Sequence, residues 1–299
     1  MSKLLNSQGQ PIERVVSQSE LPTMEQILKD PITQKFVFLE SKDVPNQTCI
    51  GLTEKTEYAG VVYKYGKVTL PDENKLNNKY SYLLENIVTR TASLIANWQS
   101  VGFCHGVMNT DNMSILGETL DYGPFGFIDN FNPSHICNLS DSSGRYSYQN
   151  QPYIGMWNCS ALAHTFENLI SKEEIKSIMS MYEKTYTKRL FALYKNKLGL
   201  NETCDTDELL VQELLNIMEV QKLDFTRTFR SLSNILDANN SIEVDNGLKN
   251  WSQKFKERHD IEITDINSRI AQMNQINPKF ILRNYLLQNA IDQAEEGSY

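Results

Sequence analysis

The sequence predicts an α+β protein, with a small β-prone region over residues 1–75 and a mostly helical region over residues 76–299 that carries short strands around one loop. Three observations carry this prediction. Leu84, Ile87, Val88, Leu94, Ile95 and Trp98 recur at helical spacing, which places them on one face of a helix over residues 80–99. Soon after it, two short apolar runs, residues 113–116 and 125–128, adjoin a stretch rich in Asn, Asp and Gly and read as strands. From Ser171 onward the pattern is helical. It opens on Ser171-Lys172-Glu173-Glu174, in which a Ser and a Glu three residues later satisfy each other's backbone donors.

In chain order, residues 1–20 are polar and aperiodic and read as a tail. Residues 23–29 suit a short helix that ends before Pro31, because the residue preceding a proline is pushed out of the α region. Residues 36–39 and 60–65 are β-prone, and Gly66 separates the second run from residues 67–70, which predicts a hairpin. Pro124, lacking an amide hydrogen, limits how far the strand at 125–128 extends toward Gly123. Residues 130–157 read as a long irregular stretch, and stretches of that length in compact domains are commonly functional. Its aromatics, Phe131, Tyr146, Tyr148, Tyr153 and Trp157, argue for order. Ile175, Ile178, Tyr182, Leu190, Leu193 and Leu198 form the apolar face of a helix that Gly199 stops. Residues 208–220, 225–236 and 278–294 are expected as further helices, and no internal repeat is visible.

With 299 residues, 40% of them hydrophobic, the chain can bury an ample core. A net charge of −8 argues against a nucleic-acid partner held through phosphates, which calls for a basic face. Cys49, Cys104, Cys137, Cys159 and Cys204 show no C-x-x-C spacing, so neither a zinc site nor a disulfide framework is expected. A reducing compartment fits them. No apolar run approaches the roughly 18 residues of a membrane span, and residues 1–20 have neither secretory nor transit-peptide character. The expected setting is cytoplasmic, with no membrane partner.

The chemistry concentrates in Cys104-His105-Gly106-Val107-Met108-Asn109-Thr110-Asp111-Asn112, followed by Asp121-Tyr122-Gly123. Against the protein-kinase pattern H-R-D-L-x-x-x-N, His105 takes the first position and Asn112 the position of the metal-binding Asn. The third position, where a kinase carries its catalytic Asp, is Val107, whose isopropyl group accepts no proton. Asp111 stands beside Asn112, and Asp121 opens a D-Y-G tripeptide that reads as a variant of D-F-G. Two carboxylates and a carboxamide suit a hard cation such as Mg²⁺, which keeps several waters and shares its shell with phosphate oxygens. Plain turns are also rich in Asn, Asp and Gly. Spacing alone reaches a magnesium–nucleotide site of kinase type.

The longer string from Gly102 to Asp129 closely resembles the signature of the SelO family of protein adenylyltransferases, pseudokinase-like enzymes that transfer AMP instead of phosphate. The likeness continues in Ser140-Asp141, Gly144-Arg145-Tyr146, Asn150-Gln151-Pro152-Tyr153-Ile154-Gly155, Asp224-Phe225-Thr226-Arg227-Thr228-Phe229-Arg230 and Met273-Asn274-Gln275-Ile276-Asn277-Pro278-Lys279. It covers residues from about 76 to the end. The resemblance implies a protein-kinase-like fold with residues 76–299 as its C-terminal lobe and residues 1–75 as a divergent segment. It further implies ATP as substrate, Mg²⁺ (with Mn²⁺ as an alternative) as cofactor, and AMP transfer to Ser, Thr or Tyr hydroxyls of protein substrates. Asp111 would be the catalytic base, and Asn112 and Asp121 would hold the metal on the nucleotide. Residues 1–75 depart from the family's N-terminal lobe, having no G-x-G-x-x-G and no relative of V-A-I-K. Lys64 is the nearest candidate for a phosphate-pairing lysine, and a solvent-facing strand residue is the blander reading. Two rivals therefore stand beside an active adenylyltransferase. One is a catalytically silent binding module, the other one half of a split enzyme whose N-terminal lobe is a separate polypeptide.

Asp129 competes with Asp121 for the metal, because aminoglycoside-kinase-like enzymes place that Asp after a strand much like residues 125–128. The family pattern favours Asp121 and leaves Asp129 as a strand-end carboxylate or one that stands behind a metal ligand. His105 is expected to orient the loop and not to act as a base, and His135, His164 and His259 lack metal-ligand spacing. A Cys104–His105 nucleophilic couple is disfavoured because adjacent strand residues point to opposite faces.

Overall fold

The computed structural model describes residues 79–237, 248–262 and 265–297, together with the backbone strands at 56–58, 61–64 and 67–69. The expected tail at 1–20, the helix at 23–29, the run at 36–39 and the side chain of Lys64 lie outside the described residues. β1 (Thr56–Tyr58), β2 (Val61–Lys64) and β3 (Lys67–Thr69) form an antiparallel sheet in that order. Lys64 faces Lys67 in register, as the expected hairpin requires; residues 65 and 66 lie outside the described residues.

The chain divides into two compact units, one of Met1–Asn86 with Phe166–Ile175, the other of Ile87–Thr165 with Lys176–Tyr299. In the first, the capping box forms as the sequence predicts. The Ser171 hydroxyl accepts from the Glu174 amide at 3.2 Å, and the Glu174 carboxylate accepts from the Ser171 amide at 3.3 Å and from the Ser81 hydroxyl at 3.0 Å.

The second unit holds the loop of interest. α1 (Lys79–Val101) is the predicted amphipathic helix, and within this unit it buries Ile87, Val88, Ile95 and Trp98. It ends at Gly102, whose φ of +70° turns the chain so tightly that a Cβ there would stand 2.7 Å from Ile128 Cγ1. β4 (Phe103–Cys104) then pairs antiparallel with β5 (Gly126–Phe127), Phe103 opposite Phe127. The Ile128 amide donates to the Gly102 carbonyl at 2.8 Å and extends that ladder.

Residues 113–116 do not form the expected strand. Only Met113 makes a bridge, to Thr119. The Ser114 hydroxyl accepts from the Leu116 amide at 3.1 Å and its carbonyl accepts from Gly117, whose φ is +72°. This local serine turn captures the backbone groups that a strand would have offered to a neighbour. The irregular stretch is also shorter than the sequence suggests, because α2 (Gln151–His164) begins inside it with Pro152 in its first turn, where a missing amide hydrogen does no harm.

α3 (Lys172–Leu198) stops at Gly199, φ +72°, and the Leu200 amide returns to the Lys195 carbonyl at 3.0 Å. α4 (Asp207–Val220), α5 (Phe225–Leu236), α6 (Lys249–Asp260), α7 (Ile266–Ile276) and α8 (Asn284–Glu295) complete the described elements. An apolar cluster ties α3 to α7 together. Phe131, Tyr148, Leu198, Leu214, Phe225, Phe229, Leu232, Trp251, Phe255 and Met273 are all buried within it. α8 starts at Asn284 and not near residue 278, because Arg283 is held extended (ψ 140°) by ion pairs to Asp129 and Asp224.

α6 and α7 are absent from the sequence prediction because their buried faces are partly ionic. Besides Trp251 and Phe255, α6 buries Arg258 and His259, and α7 buries Arg269 beside Met273. His259 donates from Nε2 to the Leu198 carbonyl at 3.0 Å while Nδ1 accepts from Arg269 Nη1 at 2.7 Å, so the ring is held as a neutral tautomer. Burial first, then the Arg269 charge, lowers its pKa from 6.5 to about 4. In this window the unfolded chain binds a proton that the native ring refuses. Stability should therefore fall as pH drops from about 6.5 toward 4, by on the order of 3 kcal/mol for this group. Urea titrations at pH 7 and pH 5 test this, and the pH dependence should shrink in His259→Gln.

Candidate functional site

The loop from His105 to Asn112 leaves β4 and is fastened from several directions. Gly106, φ +83°, turns it where a Cβ would meet Cys137 Sγ at 2.7 Å and Pro124 Cγ at 3.0 Å. The His105 amide donates to Gln151 Oε1 at 2.8 Å, and Gln151 Nε2 donates to the Phe103 carbonyl at 2.9 Å. Asn138 Nδ2 holds the Gly106 carbonyl at 3.1 Å, Asn158 Nδ2 holds the Met108 carbonyl at 2.9 Å, and the Tyr146 hydroxyl donates to Asn109 Oδ1 at 2.5 Å. None of these four supports stands out by residue type. Tyr146 and Gln151 lie within the family strings, whereas nothing in the sequence marks Asn158, which lies outside them.

His105 is buried beside Trp98, with ring centroids 5.2 Å apart. Its Nδ1 accepts from the Val107 amide at 3.4 Å and its Nε2 lies 2.6 Å from the Leu120 carbonyl, so it clips the loop to the residue preceding Asp121. Burial lowers its pKa, against the pull of the Leu120 carbonyl and the Asp121 charge, and the ring stays neutral. Val107 is half-buried and not enclosed.

A short 3₁₀ turn, Thr110–Asn112, follows and presents the sequence-predicted residues. Asn112 Nδ2 donates to Asp121 Oδ2 at 2.9 Å and contacts the Val107 carbonyl at 3.2 Å, which fixes the amide and leaves Oδ1 without a donor among the described residues. Asp121 is exposed and sits in the left-handed region with φ 55°, a conformation that Asp tolerates better than most residues. Backbone strain of this kind, about 1–3 kcal/mol, persists where the surroundings enforce it and clusters at functional sites. Asp111 is exposed on the same turn. The structure thus brings Asn112 and Asp121 into contact and places Asp111 next to them.

Asp129 pairs through one carboxylate oxygen with Arg283, which also holds Asp224 at 2.8 Å. Cys104 is buried, and its hydrogen bond with Cys137, together with burial, pushes its thiol far up and away from thiolate chemistry.

Among the described residues no group of three or more His, Cys, Asp or Glu side chains is arranged to hold a metal ion. Asn112 and Asp121 still fit Mg²⁺. Both offer hard oxygen donors, their mutual hydrogen bond sets the amide oxygen free, and Mg²⁺ needs few protein ligands when phosphates and water supply the rest.

The family model described as protein adenylyltransferase SelO matches residues 13–298, so the likeness reaches further toward the N-terminus than the motifs from residue 76 onward. The chain is 44% identical over 234 residues to the protein nucleotidyltransferase YdiU of Aliivibrio salmonicida, covering 77% of this chain and 48% of that protein. For the protein of the same name from Photobacterium profundum the values are 45% over 245 residues, 76% and 48%. For that of Myxococcus xanthus they are 40% over 256 residues, 83% and 52%. The chain spans about half the length of the curated relatives it matches. With the family model matched across nearly all of its length, and the motif residues assembled on one braced loop, the chain belongs to the SelO family.

Proposed function

We propose that this chain transfers AMP from ATP to a Ser, Thr or Tyr hydroxyl of a protein, with residues 76–299 forming a kinase-like C-terminal lobe behind a divergent segment, residues 1–75. The observation that carries the reading is the Asn112–Asp121 contact at 2.9 Å beside an exposed Asp111, in a member of the SelO family. Asp111 takes the proton from the acceptor hydroxyl. The hydroxyl oxygen bonds to the α-phosphorus as the bond to the bridging oxygen breaks, and pyrophosphate leaves. Asn112 Oδ1 and the Asp121 carboxylate would hold Mg²⁺, with Mn²⁺ as an alternative, on the triphosphate. When bound, the ion neutralises charge on the phosphate oxygens and on the departing pyrophosphate. His105, Gln151 and Asn158 keep the loop in position, and the rest is proximity.

One observation favours a second reading. Residues 1–75 carry no G-x-G-x-x-G and no relative of V-A-I-K, which favours either a catalytically silent binding module or one half of a split enzyme whose phosphate-binding groups stand on a separate polypeptide. Both readings use the same metal ligands. Among the described residues no helix is long and apolar enough to cross a membrane.

The chain is expected to bind Mg-ATP weakly, and Asn112→Ala or Asp121→Ala should each reduce the affinity about tenfold or more by removing a metal ligand. Calorimetric titration measures it. Low-micromolar affinity that survives both substitutions would put the nucleotide at another site.

A further inference from the structure

Arg258, Arg269 and Arg283 each meet a carboxylate. Arg145 does not. Among the described residues its exposed guanidinium donates no hydrogen bond and forms no ion pair, on a chain whose net charge is −8. It is held over two aromatic faces instead. Its Cζ lies 5.3 Å from the ring centre of Trp157 and 5.7 Å from that of Tyr146, within the ~6 Å at which a ring attracts a cation. A guanidinium over a ring keeps its N–H edge open, and that edge matches a carboxylate through two parallel hydrogen bonds. Asp141 does not supply one. Its Oδ1 accepts from the Arg145 amide at 2.9 Å and its Oδ2 from the Tyr146 amide at 2.7 Å, so it braces the backbone beneath the cation. Asn150 Nδ2 holds the preceding Gly144 carbonyl at 2.9 Å. The cation is thus presented already ordered, which lowers the entropic cost of binding an anion.

The tyrosine that carries the guanidinium also reaches the Asp111 turn. Its hydroxyl donates to Asn109 Oδ1 at 2.5 Å, and Asn109 immediately precedes the turn Thr110–Asn112. Arg145 therefore stands one tyrosine away from the exposed Asp111. It is tied to the Asn109 end of that turn, whereas Asn112 and Asp121 meet at the other end. The proposed metal and triphosphate belong there, which leaves the Asn109 end to the acceptor. Trp157 and Tyr153, one turn apart on one face of α2, are 44% and 61% exposed beside the cation. Trp, Tyr and Arg are the residue types that dominate binding energy at polypeptide interfaces. We propose that Arg145 binds an Asp or Glu side chain of the acceptor polypeptide, with Trp157 and Tyr153 under the adjoining residues, and so selects which hydroxyl reaches Asp111. The negative charges of Asp111 and Asp121 would repel that carboxylate in other registers. The assignment of the polypeptide as acceptor rests on the proposed function; the carboxylate chemistry rests on Arg145 and its aromatic platform.

The test uses the full chain and serine peptides that differ at one position near the serine, occupied by Glu, Gln or Lys. Tryptophan fluorescence follows binding, with Trp157 as the exposed reporter, since Trp98 and Trp251 are buried. At low salt the Glu peptide should bind saturably, about three- to tenfold more tightly than the Gln peptide, and the Lys peptide should be weakest. Arg145→Gln should erase the difference between the Glu and Gln peptides. Arg145→Glu should reverse the order in favour of Lys, an inversion that a merely structural role would not produce. Should Arg145→Glu fail to fold, the loss of discrimination in Arg145→Gln decides. No saturable binding of the Glu peptide, equal binding of the Glu and Gln peptides, or discrimination unchanged in a folded variant would overturn the proposal. A second arm asks whether the anion is a phosphate of the nucleotide. Calorimetric titration with Mg-ATP should give the same affinity for the wild type and Arg145→Gln, and a loss of about tenfold would assign the guanidinium to phosphate oxygens and overturn the proposal. A third arm supplies α-labelled ATP and Mg²⁺ with the peptides. Preferential labelling of the Glu peptide supports the acceptor assignment, and equal labelling overturns it. Carboxylate discrimination in binding with no peptide labelled supports the recognition and counts against the transfer reading, so the two failures are distinguishable.

Discussion

Replacing Asp207 by alanine should lower the folding stability by about 3–5 kcal/mol, the usual cost of removing one partner from a buried ion pair. The Asp207 side chain is fully buried. It accepts from Arg258 Nε at 2.5 Å and from the Cys204 amide at 2.9 Å, and Lys195 Nζ stands 3.9 Å away. Arg258 reaches on to Glu262 at 3.1 Å, and Glu262 in turn faces Arg269 at 3.7 Å, so one network links the start of α4 with α6 and α7. Alanine would leave two buried cations short of their counter-charge and one backbone donor unpaired. Denaturant titration at pH 7 measures the loss, and a change under about 1 kcal/mol would show that the network is hydrated and not structural.

Asp121→Ala should abolish transfer of α-label to protein, whether the chain works alone or with a complementing polypeptide. It removes the carboxylate that Asn112 touches at 2.9 Å, one of the two proposed metal ligands. Asp129→Ala should retain substantial activity, because its carboxylate serves Arg283 and Arg283 keeps Asp224. Circular dichroism of both variants must match the wild type for the comparison to count. The reverse ranking would move the metal to Asp129 and overturn the reading of the site.

The elements the sequence reveals are those whose cause is local. α1 is legible because its apolar residues repeat at helical spacing, α3 because Ser171, Glu174 and Gly199 punctuate its ends, and the hairpin because Gly66 separates two β-prone runs. Of the site, His105, Asn112 and Asp121 are legible as a pattern with fixed intervals. The groups that brace them are not. Gln151 and Asn158 reach back more than 40 residues to the Phe103 and Met108 carbonyls, and such contacts leave no periodic trace. α6 and α7 escape for a different reason, since Arg258, His259 and Arg269 occupy positions where an apolar stripe would have announced a helix. Residues 113–116 mislead in the opposite direction, because Ser114 diverts an apolar run into a turn.

Which phosphorus meets the acceptor is the central question, and Val107 bears on it. A γ-phosphoryl transferase on the kinase plan needs a carboxylate two residues after its loop histidine, and here that position is a half-buried isopropyl group while the carboxylate stands at Asp111. Parallel incubations of the wild-type chain with α-labelled and γ-labelled ATP and Mg²⁺, with and without a complementing polypeptide, answer it directly. Label from the α-phosphate on protein, with none from the γ-phosphate, is the predicted result; γ-label without α-label would contradict the account and leave a divergent kinase in its place.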